Sequence, residues 1–244
     1  MNGQFLQDIK QGITHLFYPR MCEGCCKPLL TTEKILCISC SMQLPETGYP
    51  DIEDNETASR FAGRIPFVYA TSYAYFTSDG LLQHLLHGLK YKDKKEIGYY
   101  LGKRLGQSIQ KNLLTAAQHG TLQPLPIDII IPVPLHKAKH AKRGYNQSML
   151  IAEGISDILK IAASDKLLVR KRNTESQTNK TRAERVNNMT EAFEIREKGK
   201  LTGKHILLCD DVLTTGATLE ACALALMKDK SIKISLATIG IAVS

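Results

Sequence analysis

The chain has 244 residues, 43% of them hydrophobic and 23% charged, which suits a folded protein of one large domain, or one domain with a small appendage, and excludes disorder and collagen-like repeats. Its net charge of +8 is unevenly spread: residues 1–60 carry five Lys/Arg against eight Asp/Glu, and residues 61–244 carry 27 against 16. The longest nearly continuous apolar stretch, Ile127 to Leu135, is interrupted by Asp128, Pro132 and Pro134, and it falls well short of the roughly 20 apolar residues that span a bilayer.

From the N-terminus, Phe5, Ile9, Ile13 and Leu16 recur at helical spacing, with Leu6 and Phe17 beside them. No secretory apolar core follows Met1, so a cytoplasmic address is expected. Five of the seven cysteines then fall between Cys22 and Cys40. Two C-x2-C knuckles separated by eleven residues bring Cys22, Cys25, Cys37 and Cys40 to one point, the tetrahedral sulfur set that Zn²⁺ prefers. A disulfide or redox pair is the alternative, and a cytosolic setting argues against it. Four thiolates fill the coordination sphere, so the zinc is expected to be structural, stabilising a segment too short for a core of its own. Gly24 would allow the knuckle's tight turn, and Cys26 is expected to stand aside. Residues 1–45 thus read as an N-terminal helix and zinc segment. Residues 46–60 read as a linker, since Pro45 to Asn55 holds two prolines, a glycine and several acids with little apolar periodicity, and residues 61–244 read as the main domain.

In the main domain, Ile65 to Phe76 is rich in strand formers. Leu82, Leu85, Leu86 and Leu89, then Ile97, Leu101, Leu105 and Ile109, repeat at helical spacing. Ile127 to Val133 predicts a buried strand, Asn146 to Leu159 a helix, and Leu167 to Val169 a short strand. Arg170 to Asn188 holds six Lys/Arg and almost no large apolar residue, which suits a basic flap rather than a core element. His205 to Cys209 predicts a strand, Thr218 to Met227 a helix and Ile232 to Ile241 a last strand. The alternation defines an α/β fold with a mostly parallel sheet flanked by helices, whose ligands bind beyond the carboxyl ends of the strands.

The segment directly after the His205 strand carries the most chemistry: Asp210-Asp211-Val212-Leu213-Thr214-Thr215-Gly216-Ala217-Thr218. Thr214, Thr215, Gly216, Ala217 and Thr218 offer successive backbone amides and three hydroxyls to a phosphate, at the positive end of the next helix. Asp210 and Asp211 accept hydrogen bonds only, which matches sugar hydroxyls or a hydrated Mg²⁺. Together they describe a site for a ribose 5-phosphate. The bland alternative is a capped helix start behind a surface Asp pair.

This run resembles the phosphoribosyl pyrophosphate (PRPP) motif of type I phosphoribosyltransferases, and the chain as a whole resembles the ComF family of competence-associated proteins. The other blocks that carry the resemblance are the cysteine knuckles, His87-Gly88-Leu89-Lys90-Tyr91, Ile131-Pro132-Val133-Pro134-Leu135, Arg143-Gly144-Tyr145-Asn146-Gln147, and Thr174, Gln177, Arg185, Asn188 and Phe193. Lys180 and Glu191 depart from the residue types usual in the family. The resemblance implies a type I phosphoribosyltransferase-like fold that binds PRPP with Mg²⁺, and a link to competence and DNA uptake.

PRPP needs a second anion pocket for its pyrophosphate. The turn after Ile127 to Val133 is the candidate, with Leu135, His136, Lys137 and Arg143 as cofactor-binding residues; a planar guanidinium can hold a phosphate bidentately. Asp210, Asp211, Arg182 and Arg185 are the catalytic candidates, the two arginines closing over the departing pyrophosphate. Two functions compete. One is phosphoribosyl transfer from PRPP to an unidentified acceptor. The other is a non-catalytic nucleotide- or single-stranded-DNA-binding protein that partners DNA-uptake proteins.

Overall fold

The computed structural model describes residues 19–49, 54–118, 126–171 and 192–243. The helix expected over Phe5 to Phe17 and the basic stretch beyond Lys171, with Arg182 and Arg185, lie outside the described residues. Helix α1 (Ile38–Met42) belongs to the cysteine segment and α2 (Glu56–Ser59) follows it. Then come β1 (Ala70–Phe76), α3 (Leu81–Tyr91), α4 (Lys95–Gln118) and β2 (Ile129–Pro132). They are followed by α5 (Lys137–Arg143), α6 (Gln147–Leu159), β3 (Leu168–Arg170) and β4 (Phe193–Ile195). The chain ends in β5 (His205–Leu213), α7 (Ala217–Leu226) and β6 (Lys233–Ala242).

Strands β1, β6, β5 and β2 form one parallel sheet in that order, while β3 and β4 pair antiparallel as a separate ribbon. Alternation along β5 explains the two layers on its faces. Leu207 and Cys209 join a core with Leu82, Leu85, Leu101, Ile151 and Ile155 of α3, α4 and α6. Ile206 and Leu208 face a second core with Phe61, Leu219 and Leu226. Helices α4 and α6 cross at Gly102 and Gly154. A Cβ on Gly102 would fall 2.2 Å from the Ile151 carbonyl oxygen, and one on Gly154 would fall 2.3 Å from that of Tyr99. This close crossing fixes where α6 begins, and its first turn enters the site.

Several elements differ from their expected form. Strand β5 runs on through Leu213 because Val212 and Leu213 pair with Gly240 and Ile241 of β6; the two aspartates therefore sit inside the strand, not after it. Residues 137–143, expected as a loop, form α5, which buries none of its side chains and so shows no apolar stripe. It is held by its ends: His136 Nδ1 accepts from the Ala138 amide, and Gly144 closes it in the left-handed conformation at φ 77°.

The stretch expected as a linker carries structure at both ends. The Thr47 amide donates to Tyr73 O, and Asn55 caps α2 while its side-chain amide donates to Ala70 O of β1 at 2.9 Å. The cysteine segment is packed onto the main domain as well. Its Leu29, Leu36 and Leu44 share the core of α3 and α4, and Glu23 pairs with Lys94.

Candidate phosphoribosyl site and cysteine cluster

The carboxyl ends of the adjacent strands β2 and β5 open onto a cleft of about 320 Å³. Its lining includes Asp210 and Asp211 from β5, Thr214 and Thr218 after it, Leu135 and His136 after β2, and Arg143 at the end of α5. Those seven residues, expected from the sequence, are thus brought together. Thr215, Gly216 and Ala217 complete the loop behind Thr214 without lining the cleft, and Lys137 is not part of the lining, where Lys139 stands instead.

The loop from β5 to α7 presents unspent donors. Among the described residues its amides have no intramolecular acceptor closer than a 3.5 Å contact from Ala217 N–H to Thr215 Oγ1, and α7 has no side-chain cap. Amides left free at a helix N-terminus attract an anion. Gly216 stands at φ 76°, and a Cβ there would meet Phe61 Cε1 at 2.9 Å. Arg64 braces the loop from outside, donating to Thr215 O at 2.9 Å and pairing with Glu220 of α7. Gly216→Ala is therefore expected to cost about 1–3 kcal/mol of stability and to weaken binding of a phosphorylated ribose; thermal melts and ribose 5-phosphate titration check both.

Across the cleft, Asn146 caps α6 and holds the β2 exit. Its oxygen accepts from the Ser148 amide, and its side-chain amide donates to Val133 O at 3.0 Å. Arg143 donates to Gln147 Oε1 at 2.8 Å and lies 5.2 Å from the centre of the Tyr91 ring. With Lys90, Lys139 and Arg170 also lining the cleft, four cations face two carboxylates, a balance suited to an anionic ligand.

The two carboxylates are held differently. Asp210 Oδ1 accepts from Ser148 Oγ at 2.9 Å and from the Asp211 amide at 2.8 Å. Asp211 Oδ2 pairs with Lys90 Nζ at 2.7 Å. Burial, then the neighbouring Asp211 charge, pushes the Asp210 carboxyl up from its ordinary 3.8 to about 7. The fold therefore favours the protonated form, and that contribution is present in full below about pH 4 and lost as pH rises through about 7. Asp210→Asn is expected to be more stable than wild type at pH 8, with the gap narrowing as pH falls toward 4. Paired melts across that range check it.

In the N-terminal segment, Cys22, Cys25, Cys37 and Cys40 place their sulfurs within 4.8 Å of one another, and all are free thiols. Cys26, at φ 56°, is outside the cluster. Gly24 serves by its smallness rather than by an unusual turn, since a Cβ there would meet Cys40 Sγ at 2.9 Å. Burial alone would raise the Cys22 thiol, but amide donors, among them Cys37 N–H at 3.2 Å, outweigh it and bring Cys22 down to about 6. Burial and the neighbouring sulfurs push Cys40 well up. Such a set can become four thiolates only around a cation, and it fits a structural Zn²⁺.

Sequence reasoning missed Lys90, Ser148 and Arg64 as parts of the site. Lys90 and Ser148 stand inside or beside the family's motif blocks, but their pairing with aspartates some 60 to 120 positions away has no local signal. Arg64 shows no pattern at all.

A parallel sheet with this carboxylate-and-amide cleft at its open end defines a phosphoribosyltransferase-like protein, and the family model described as phosphoribosyl transferase domain matches residues 146–244. DNA utilization protein YhgH of Shigella flexneri is 30% identical over 225 residues, covering 88% of this chain and 93% of that protein. Competence protein ComFC of Bacillus subtilis is 25% identical over 241 residues, covering 98% and 92%. The chain belongs to the ComF family. Among solved structures, adenine phosphoribosyltransferase from Leishmania tarentolae overlaps 81% of this chain and 94% of its own, at 13% identity and a TM-score of 0.35, too loose a match to add to the argument. No helix among the described residues is long and apolar enough to cross a membrane.

Proposed function

We propose that this protein binds PRPP with Mg²⁺ in the cleft between β2 and β5 and transfers the phosphoribosyl group to an acceptor, in the cytoplasm, as part of DNA utilisation. The observation that carries the reading is the pairing of free loop amides at Thr214 to Thr218 with the Asp210–Asp211 carboxylates one step upstream, in a cleft rich in cations. The 5-phosphate would rest on the amides and on the Thr214 and Thr218 hydroxyls. The carboxylates would accept from the ribose 2- and 3-hydroxyls, orienting C1 toward the opposite wall.

There, Lys139, Arg143 and Arg170 would bind the pyrophosphate beside Leu135 and His136. As the C1–O bond breaks, its electron pair leaves on the pyrophosphate, the acceptor's lone pair forms the new bond to C1, and the acceptor gives up its proton. The wall of cations stabilises charge that grows on the leaving group. Bound Mg²⁺ would neutralise further charge on the pyrophosphate and sugar oxygens. Arg182 and Arg185 would act on the same leaving group.

The test is release of labelled pyrophosphate from PRPP, screened across bases and amines. Acceptor-dependent release that needs Mg²⁺ is expected; absence of release together with absence of PRPP binding at millimolar ligand contradicts the reading. A second reading is recognition of single-stranded DNA without catalysis; the relatives' names, DNA utilization and competence, support a link to DNA and no more. That reading requires binding that falls steeply with salt, with a slope flattened by charge removal at Arg182 and Arg185.

A further inference from the structure

We infer that Lys90 is a positioning residue: its ammonium occupies the place on Asp211 that a ligand must take, and it leaves that place when ligand enters. The inference rests on the proposed PRPP binding for what enters, but not for the exchange itself. Lys90 lies in the last turn of α3, outside the matched phosphoribosyl transferase residues. Its neighbours fix it there, with the Tyr145 hydroxyl donating to Leu89 O and the Arg143 guanidinium over the Tyr91 ring.

The Lys90–Asp211 pair is largely out of solvent, with side-chain exposures of 23% and 10%. Apart from Lys90, no donor reaches Asp211 Oδ2 among the described residues. Asp210 Oδ1, by contrast, is already committed to Ser148 and to a backbone amide. Asp211 Oδ2 is buried beneath the Lys90 ammonium, so that oxygen would open to a sugar hydroxyl or a divalent cation only as Lys90 moves off it. A second cation brought to that oxygen would sit a few ångströms from the ammonium in a partly desolvated cleft, where their repulsion is large.

The pair has a use in both states. Without ligand, Lys90 compensates a carboxylate that would otherwise be buried with its charge unpaired. With ligand, its four-carbon stem lets the ammonium turn toward Lys139 and Arg143, which line the same cleft. There it would meet pyrophosphate oxygens. A divalent cation alone has no such anion to offer Lys90, so the protein should bind the cation poorly until the pyrophosphate arrives with it.

Mn²⁺ is the probe, with bound and free ion separated by electron paramagnetic resonance at pH 8. Lys90→Met is expected to bind Mn²⁺ alone at least about tenfold more tightly than wild type, yet to bind PRPP in the presence of Mn²⁺ more weakly. In wild type, saturating Mn²⁺ should raise acetylation of Lys90, read by mass spectrometry, while Lys111, outside the cleft, stays unchanged. Equal Mn²⁺ affinity in folded Lys90→Met and wild type overturns the inference. If that variant fails to fold, unchanged Lys90 labelling in wild type overturns it instead. Tighter Mn²⁺ binding by the variant with no PRPP binding by either protein would support the exchange and count against the phosphoribosyl reading.

Discussion

Asp210→Asn combined with Asp211→Asn is expected to weaken Mg²⁺-dependent PRPP binding by about 100-fold or more. Each carboxylate would lose charge-assisted hydrogen bonds to the ribose diol worth roughly 1.5–3 kcal/mol. Asparagine keeps the shape and the acceptor oxygen that Ser148 Oγ–H and the residue-211 amide use, so the fold should survive. Zinc content should be unchanged, because the cysteine cluster draws its ligands from residues 22–40 alone. Calorimetric titration of PRPP with and without Mg²⁺, beside metal analysis, gives both readings. Unchanged affinity in the double variant would remove the carboxylates from the account.

Cys37→Ser is expected to act on stability instead. Its sulfur lies 3.7 Å from that of Cys25 and caps α1, accepting from the Cys40 amide at 3.5 Å. A structural zinc contributes on the order of 10 kcal/mol to folding. Losing one of four thiolates is expected to forfeit several of these and to lower the melting temperature by about 10 °C, with zinc falling well below one per chain. Because Leu29, Leu36 and Leu44 of this segment share a core with α3 and α4, the loss should spread into the main domain. Full zinc occupancy in Cys37→Ser would contradict ligation by four thiolates.

Both variants fall on residues visible in the sequence, and the reason is physical. Two cysteine knuckles state a metal geometry in a few positions. Likewise, an apolar strand, two acids, a small-residue loop and a helix stand consecutively from His205 to Leu226, so one local run carries the site. The features that the sequence concealed depend on packing between distant segments. Lys90 reads as an ordinary last-turn lysine until α3 docks beside β5 and brings it to Asp211.

Ser148 is placed by the glycine crossing of α4 and α6, and Arg64 reaches the β5–α7 loop from a turn far upstream. Helix α5 was hidden for the opposite reason, since an exposed helix of Lys, His and Ala has no apolar face to announce it. The extension of β5 through its aspartates comes from pairing with β6, which overrides the low strand preference of Asp.

If a phosphoribosyl ligand lies with its phosphate on the β5–α7 loop and its diol on the aspartate pair, nitrogen-15 resonance shifts during titration with PRPP and Mg²⁺ should show it most directly. The largest shifts are expected at the amides of Thr214 to Thr218, with Asp210 and Asp211 next. Saturation with those amides unmoved, or with the largest changes confined to another surface, would contradict that placement.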